Sequence, residues 1–393
     1  MAGATPSSTH PPLPPTLEED RFDRIRLLRS RRVGVATYWR LMAEHGSAAA
    51  ALAALPGIAR AAGVEDYAPC PPAVVQAELK AARAAGARLV MHGDPGWPAA
   101  LADLADAPPF LWLRGDDSLL TRPMVALVGA RNASSLGTRM ARALAADLGA
   151  AGFTVVSGLA RGIDAAAHDA ALKTGTIAVL AGGVDVIYPA ENTVLAERIA
   201  GHGALLSEQP MGLQPQARHF PARNRIVSGL ARAVIVVEAA AKSGSLITAR
   251  AALDQGREVM AVPGHPLDPR AGGCNHLIRD GAMLVRDAAD VIEALGSLVG
   301  GSVPVATPAP ELDLGAPAPK PPVSQASAAR PTLRDTAALH RQILDRLGPS
   351  PVAEDQLIRD LAATARDVTP VLTELELDGH IARSPGGMLA RVM

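Results

Sequence analysis

Five short stretches of this chain combine glycine, small hydroxyls and guanidinium or amine groups in a way that suits an anionic ligand. They are Gly129-Ala130-Arg131-Asn132; Ser157-Gly158-Leu159-Ala160-Arg161-Gly162 with Asp164 behind it; Gly182-Gly183-Val184-Asp185 leading to Tyr188-Pro189; Lys242-Ser243-Gly244-Ser245 with Thr248 one turn on; and Gly264-His265. Glycine and serine let the backbone approach a phosphate closely, and successive N–H groups at a turn or helix start form an anion-binding concavity. One such loop carries little weight, because any α/β domain has a glycine after a strand. Several at equivalent positions predict a platform.

Each stretch follows an apolar, β-branched run: MVALVG, FTVVSG, TIAVLAGG, AVIVVEAA and EVMAVPG, with ALLSE and MLV completing the set. Ala-rich runs of helical periodicity, such as SLGTRMARALAADLGAAG, lie between them. Strands buried on both faces and alternating with crossover helices predict a doubly wound, mostly parallel α/β sheet. In such a sheet ligands bind beyond the carboxyl ends of the strands, where helix N-termini present unpaired N–H groups. RLVMHG and FLWLRG add edge strands in front.

Around this domain, placed at 86–296, the texture changes. Residues 1–16 are rich in Pro, Ser and Thr and predict a disordered tail. Residues 17–80 read as a small helical domain, in which ATYWRLMAEHG stops at Gly46 as at a C-terminal cap. Residues 297–334 form a Pro/Ala-rich linker. Residues 335–393 carry three helical segments and IARSPGGMLARV, two strands about a Pro-Gly-Gly turn, the pattern of a winged helix.

Several chemistries lack their residues. GARNASSLG does not have the G-x-G-x-x-G spacing, and the second strand ends in Ser157 where a cofactor ribose wants a carboxylate, so no dinucleotide is expected. GxxxxGK[ST] and HExxH are both missing. Cys70 and Cys274 stand alone, too far apart for a metal or disulfide framework. No nucleophile–base pair is recognisable, so the expectation is no catalytic residue, no metal and no cofactor. The N-terminus is not built like a signal peptide, and no apolar run approaches the ~18 residues needed to cross a bilayer. A cytoplasmic protein without membrane contact is expected.

The remaining clue is local charge. The formal net charge is −1, yet the stretch from Ser207 to Arg250 holds Arg218, Arg223, Arg225, Arg232, Lys242 and Arg250 against Glu208 and Glu238, or +6 − 2 = +4. Residues 335–393 hold six arginines against nine acids, and the third helical segment there carries Glu374, Glu376 and Asp378 with no Arg or Lys, which disfavours major-groove reading of duplex DNA. Arg-rich loops over a row of helix N-termini suit a polyanion backbone. Phe220 precedes Arg223-Asn224-Arg225, so that a ring can stack a base while the arginines hold phosphates. Structural alternatives stand beside these roles: His168 as a packed histidine, Asp164 as a helix cap, Arg225 as the partner of Glu208 or Glu238, Phe153 as core.

VSGLAR occurs twice, at 156–161 and 227–232. The flanks predict a ligand-facing loop for the first copy and the end of a helix for the second.

The ordered set VALVGARNASSLG, VSGLARGIDAAAH, AVLAGGVDVIYPAEN, SEQPMG, HFPARNRIVSGLA, SGSLITARAALDQGREVMAVPG and CNHLIRDGAMLV resembles the DprA/Smf family of bacterial DNA-processing proteins. The resemblance spans about 86–296 and implies an extended Rossmann-like domain, flanked by an N-terminal domain of the SAM or helix-hairpin-helix kind and a C-terminal winged helix. It implies sequence-independent binding of single-stranded DNA, protection of incoming strands in natural transformation, loading of the RecA recombinase past single-strand-binding protein, and a homodimer; such proteins are mediators, not enzymes. The implied DNA contacts are Gly129, Arg131, Phe220, Arg223, Asn224 and Arg225. Ala217 stands where some members have lysine, with Arg218 beside it. The loop residues Ser157, Gly158, Arg161, Gly162, Lys242, Ser243, Gly244 and Ser245 complete the expected site. The implied dimer surface lies around Ile278 and Leu284. The competing enzymatic expectation is a phosphoribohydrolase-like Rossmann protein. That chemistry needs acids in the loop where this chain has KSGSLITA, with Ile247 and Thr248 at the critical places.

Overall fold

The computed structural model describes residues 17–102, 104–296, 333–348, 350–361, 363–384 and 388–392. The expected tail 1–16 lies outside these residues, as does the expected linker 297–334 except for its last two positions, which open a helix.

The chain begins with α1 (Leu17–Arg29), α2 (Val35–His45), α3 (Ala48–Ala61) and α4 (Pro72–Ala84). Glu18, Glu19 and Asp20 open α1 and Arg26 and Arg29 close it, each matching the helix dipole. Gly46 ends α2 at φ 75°, a left-handed conformation that glycine adopts without steric cost, and Ser47 caps α3 by accepting from the Ala50 N–H. Leu27, Tyr38, Leu41, Leu52 and Leu55 form the core of this small domain. One tie to the sheet is Glu78 of α4, a buried carboxylate that accepts from Arg29 Nη2 and from the indole Nε1 of Trp112, each at 2.8 Å.

The second domain contains β1 (Arg88–Met91), α5 (Ala99–Ala102), β2 (Phe110–Gly115), β3 (Met124–Gly129), α6 (Ser135–Ala150), β4 (Thr154–Ser157), α7 (Ile163–Ala171), β5 (Thr176–Val179), α8 (Thr193–His202) and β6 (Ala204–Ser207). It continues with α9 (His219–Leu230), β7 (Ala233–Glu238), α10 (Ser245–Asp254), β8 (Glu258–Ala261), α11 (Gly272–Arg279), β9 (Met283–Leu284) and α12 (Ala288–Leu295). The strands make one nine-stranded sheet in the order β1-β2-β6-β5-β4-β3-β7-β8-β9. From β6 through β9 all neighbours are parallel, and β1 and β2 add antiparallel pairs at one edge. Every residue of β4, β5, β6 and β7 is buried, as strands covered on both faces require.

On one face α6, α7 and α12 pack through Leu144, Leu148, Ile163 and Val291, with Phe153 also in that core; on the other, α9, α10 and α11 pack through Ile226, Leu230, Ala249 and Cys274. The chain runs outward from β3 to β6 and then returns to place β7 on the other side of β3. The crevice beyond the carboxyl ends of these central strands is therefore the topological switch point.

The two VSGLAR copies take different structures. Val156 and Ser157 end β4 and Gly158–Arg161 is a loop, whereas Val227–Leu230 is the last turn of α9.

The last domain has α13 (Leu333–Arg346), β10 (Val352–Ala353), α14 (Glu354–Asp360), α15 (Ala365–Leu377), β11 (Ile381–Ser384) and β12 (Met388–Arg391). Its three strands pair in the order β10-β12-β11, a winged helix over a core of Ile343, Leu347, Leu357, Leu372 and Leu389. Arg270, in the loop between β8 and α11, fastens it to the sheet domain by donating to the carbonyls of Asp345 and Leu347 at 2.6 and 3.1 Å.

Candidate nucleic-acid interface

Three post-strand loops and the first turns of α9 meet at one place. They enclose a cavity of about 310 Å³ lined by Arg131 and Asn132 after β3, Gly158, Ala160 and Arg161 after β4, Tyr188 and Pro189 after β5, and Phe220 and Arg223 on α9. Its lining holds three arginines and no carboxylate. Past Arg131 and Arg161 it opens into a larger space of about 890 Å³, bounded by Arg142, Arg198 and the winged-helix residues Asp345, Arg346, Arg359 and Asp360.

Arg223 is the buried floor of the cavity. It reaches back along α9 to Gly158, where a Cβ would lie 1.2 Å from its Nη1; only glycine leaves room for the guanidinium. Beneath it is Asp164, buried at the start of α7 and accepting from the N–H groups of Gly158 and Ala160 at 3.1 and 3.3 Å. Burial lowers the Arg223 pKa and raises that of Asp164, and each opposes the other's shift. Among the described residues, Arg223 makes no ion pair within 4.0 Å and its Nε has no hydrogen-bond partner. The guanidinium carbon lies 6.0 Å from the Phe220 ring centre, and that of exposed Arg131 lies 5.5 Å from the same ring. Leu159, between these groups, holds φ 56°, a strained value for a branched side chain, and its carbonyl is fixed by Asn192 Nδ2 at 2.9 Å.

This geometry takes part of the expected platform of N–H groups out of use. The N–H groups of Gly158 and Ala160 belong to Asp164, and Ile163 at the start of α7 donates to the Ala130 carbonyl at 3.2 Å. At the start of α6, the Glu238 carboxylate takes the place an anion would hold: it accepts from the Ser134 N–H at 3.1 and 3.2 Å and from Ser134 Oγ at 2.5 Å. Burial raises the Glu238 pKa, and the Ser134 bonds pull it back. The charged groups of the cavity lining are the side chains of Arg131, Arg161 and Arg223.

The other expected site residues fall as follows. Ser157 is fully buried, its hydroxyl donating to the Leu127 carbonyl at 2.6 Å. Gly129 and Gly162 are packing positions: a Cβ at Gly129 would strike Ile163 at 2.6 Å, and one at Gly162 the Ala130 carbonyl at 2.3 Å. Arg161 is exposed and pairs with Glu191 at 2.7 Å. Arg218 is exposed at the start of α9, and Asn224 is half-buried beyond the cavity lining. Arg225 takes its structural alternative: it pairs with Glu208 and donates to the Asp106 carbonyl, and it does not line the cavity. Lys242, Ser243, Gly244 and Ser245 lie on the β7–α10 loop, outside this lining, with the two serine hydroxyls 2.7 Å apart. His168 is a packed histidine whose Nδ1 meets Thr176 Oγ1 at 2.7 Å. Ile278 packs partly against the core, whereas Leu284, on the edge strand β9, is exposed. Asn132, Ala160, Tyr188 and Pro189, which the sequence places in the anion-binding stretches but not among the individual DNA contacts, also line the cavity.

Comparison with known proteins matches residues 88–296 to the family model of DNA recombination-mediator protein A. The chain belongs to this family. Residues 18–81 match the DprA-like N-terminal HHH domain and residues 327–387 the DprA winged helix domain. Protein Smf of Synechocystis is 37% identical over 314 residues, covering 75% of this chain and 77% of that one. DNA processing protein DprA of Bacillus subtilis is 45% identical over 220 residues, 55% of this chain and 74% of its own length. Among solved structures, DNA processing protein A of Streptococcus pneumoniae superimposes with a TM-score of 0.59 at 37% identity, covering 69% of this chain and 97% of that one. The Helicobacter pylori protein, whose structure is described by its single-stranded DNA binding mode, gives a TM-score of 0.50 at 32% identity over 53% of this chain and 95% of that one. The family is one of DNA processing. Among the described residues no helix is long and apolar enough to cross a membrane, and no cluster of side chains has the makings of a metal site.

Proposed function

We propose that this chain binds single-stranded DNA without sequence preference, protects incoming strands and loads RecA on them past single-strand-binding protein, acting as a homodimer and not as an enzyme. The observation that carries the binding reading is the carboxylate-free cavity, lined by Arg131, Arg161 and Arg223 together with the rings of Tyr188 and Phe220. Guanidinium groups neutralise a phosphate backbone of any sequence, and rings stack any base, because every base has a π-face. The likeness to the Helicobacter pylori protein supports the choice of single strands. RecA loading and strand protection rest on membership of the family. The dimer surface rests on membership of the family and on exposed Leu284, with Ile278 partly buried.

Two features favour binding over catalysis. Glu238 fills the anion position at α6, the helix N-terminus a nucleotide phosphate would use, and the loop that would need acids for ribosyl hydrolysis offers exposed Ile247 and buried Thr248. The test is salt-dependent binding of labelled oligothymidylate by the whole protein and by an Arg131→Ala/Arg223→Ala double variant. Loss of two phosphate contacts lowers the slope of log affinity against log salt by about 1.4. An unchanged affinity and slope in a folded double variant excludes this cavity as the site. Release of ribose phosphate from a nucleoside monophosphate would favour the hydrolase instead.

A further inference from the structure

The chain has three tyrosines, three tryptophans and four phenylalanines. Among the described residues one aromatic side chain is exposed: Tyr188, at 53%. An exposed ring in so aromatic-poor a chain stands out because this one also lines the arginine cavity. Its neighbour there, Phe220, is not an open platform. Phe220 is half-buried, Arg131 and Arg223 both lie against its ring, and Tyr188 meets it at 5.7 Å with the planes inclined by 62°. The guanidinium groups occupy the surface that a base would need.

The segment carrying Tyr188 is firmly held. Gly183 donates to the Leu213 carbonyl at 2.9 Å, and the Asp185 carboxylate accepts from the Gly212 N–H at 2.9 and 3.1 Å. Side chains at Gly182 and Gly183 would strike the Leu213 and Pro210 carbonyls at 2.5 and 2.7 Å, so the turn is pressed against the following loop. On the far side the Asn192 N–H donates to the Pro189 carbonyl at 3.0 Å. A ring presented from such a turn loses little further freedom when a flat ligand stacks on it.

We propose that the open face of Tyr188 is the base-stacking surface of this site, and that Phe220 serves beneath it to orient Arg131 and Arg223 toward the phosphates. The ligand is an unpaired nucleobase of a single strand, so the proposal rests on the single-stranded DNA reading above. Stacking needs the ring and not the hydroxyl, and it carries no charge.

The test compares wild type, Tyr188→Phe and Tyr188→Ala on two strands of equal length, oligothymidylate and its fully abasic deoxyribose-phosphate counterpart. Tyr188→Phe is expected to match wild type on both. Tyr188→Ala is expected to lose about 5- to 150-fold in affinity for oligothymidylate, the range for one stacked base, with an unchanged salt slope. On the abasic strand the three proteins are expected to bind alike. Photo-crosslinking of a strand carrying 5-iododeoxyuridine to wild type is expected to map to Tyr188. An equal loss for Tyr188→Ala on both strands, no loss on oligothymidylate, or crosslinking confined to Phe220 would overturn the proposal while leaving strand binding itself intact. If wild type bound neither strand, the underlying single-strand reading would fail with it.

Discussion

Nη1 of Arg223 occupies the space that a side chain on Gly158 would need, with a would-be Cβ 1.2 Å away. Helix α9 and the loop after β4 are thus fitted to each other at the floor of the cavity. Gly158→Ala must push the guanidinium out, and overpacking of this kind costs about 1–3 kcal/mol. We expect a folded variant with reduced affinity for single-stranded DNA. Gly158→Ala/Arg223→Ala is expected to bind no more weakly than Arg223→Ala, because both changes act on one group. Fluorescence anisotropy checks this; full additivity of the two losses would show that Gly158 acts by some other route.

Arg225, two residues further along α9, serves stability. It pairs with buried Glu208, whose backbone carbonyl accepts from Arg29 of the N-terminal domain at 3.3 Å. Removing one member of a buried pair strands the other and costs about 3–5 kcal/mol. Arg225→Ala should therefore lower the urea midpoint, and Glu208→Gln/Arg225→Met should recover part of the loss. Under conditions where Arg225→Ala remains folded, its salt slope should equal wild type, whereas a phosphate contact would remove about 0.7 from it.

His168 gives the protein an acid sensitivity. Burial holds its folded pKa at about 3 against 6.5 for the free side chain, with Arg223 adding to the depression. Between those values the unfolded chain binds the extra proton, so this group's contribution to stability is intact above pH 6.5 and is lost as the pH falls, at up to about 1.4 kcal/mol per unit. Asp164, raised by burial, works in the opposite sense and is common to wild type and variant. The stability advantage of wild type over His168→Gln should therefore shrink by about 2 kcal/mol between about pH 7 and pH 5. Denaturant titrations at the two pH values measure it, and a constant gap would contradict the buried, neutral imidazole.

The sheet was legible because strands such as MVALVG and TVVS are apolar on both faces and end in glycine or small residues, a pattern that few other structures produce. The crowding of post-strand loops at the switch point was legible for the same reason. The partners of individual polar groups were not, because they depend on contacts distant in sequence. Glu238 meets Ser134 from 104 positions away, and Arg225 meets the Asp106 carbonyl from 119. Sequence alone left Arg225 divided between a phosphate, Glu208 and Glu238; in the fold its guanidinium meets the carboxylate of Glu208, the residue that follows β6. Tyr188 carried no periodic signal, since a ring on a loop looks the same in sequence whether it points inward or outward.

Competition between single- and double-stranded oligonucleotides of the same sequence for the full chain, across a range of salt, is the decisive measurement of single-strand binding. The expected result is a clear preference for the single strand with a steep salt dependence, and in Arg131→Ala/Arg223→Ala weaker single-strand binding with a slope shallower by about 1.4. Equal or stronger binding of the duplex, with the double variant indistinguishable from wild type, would contradict it.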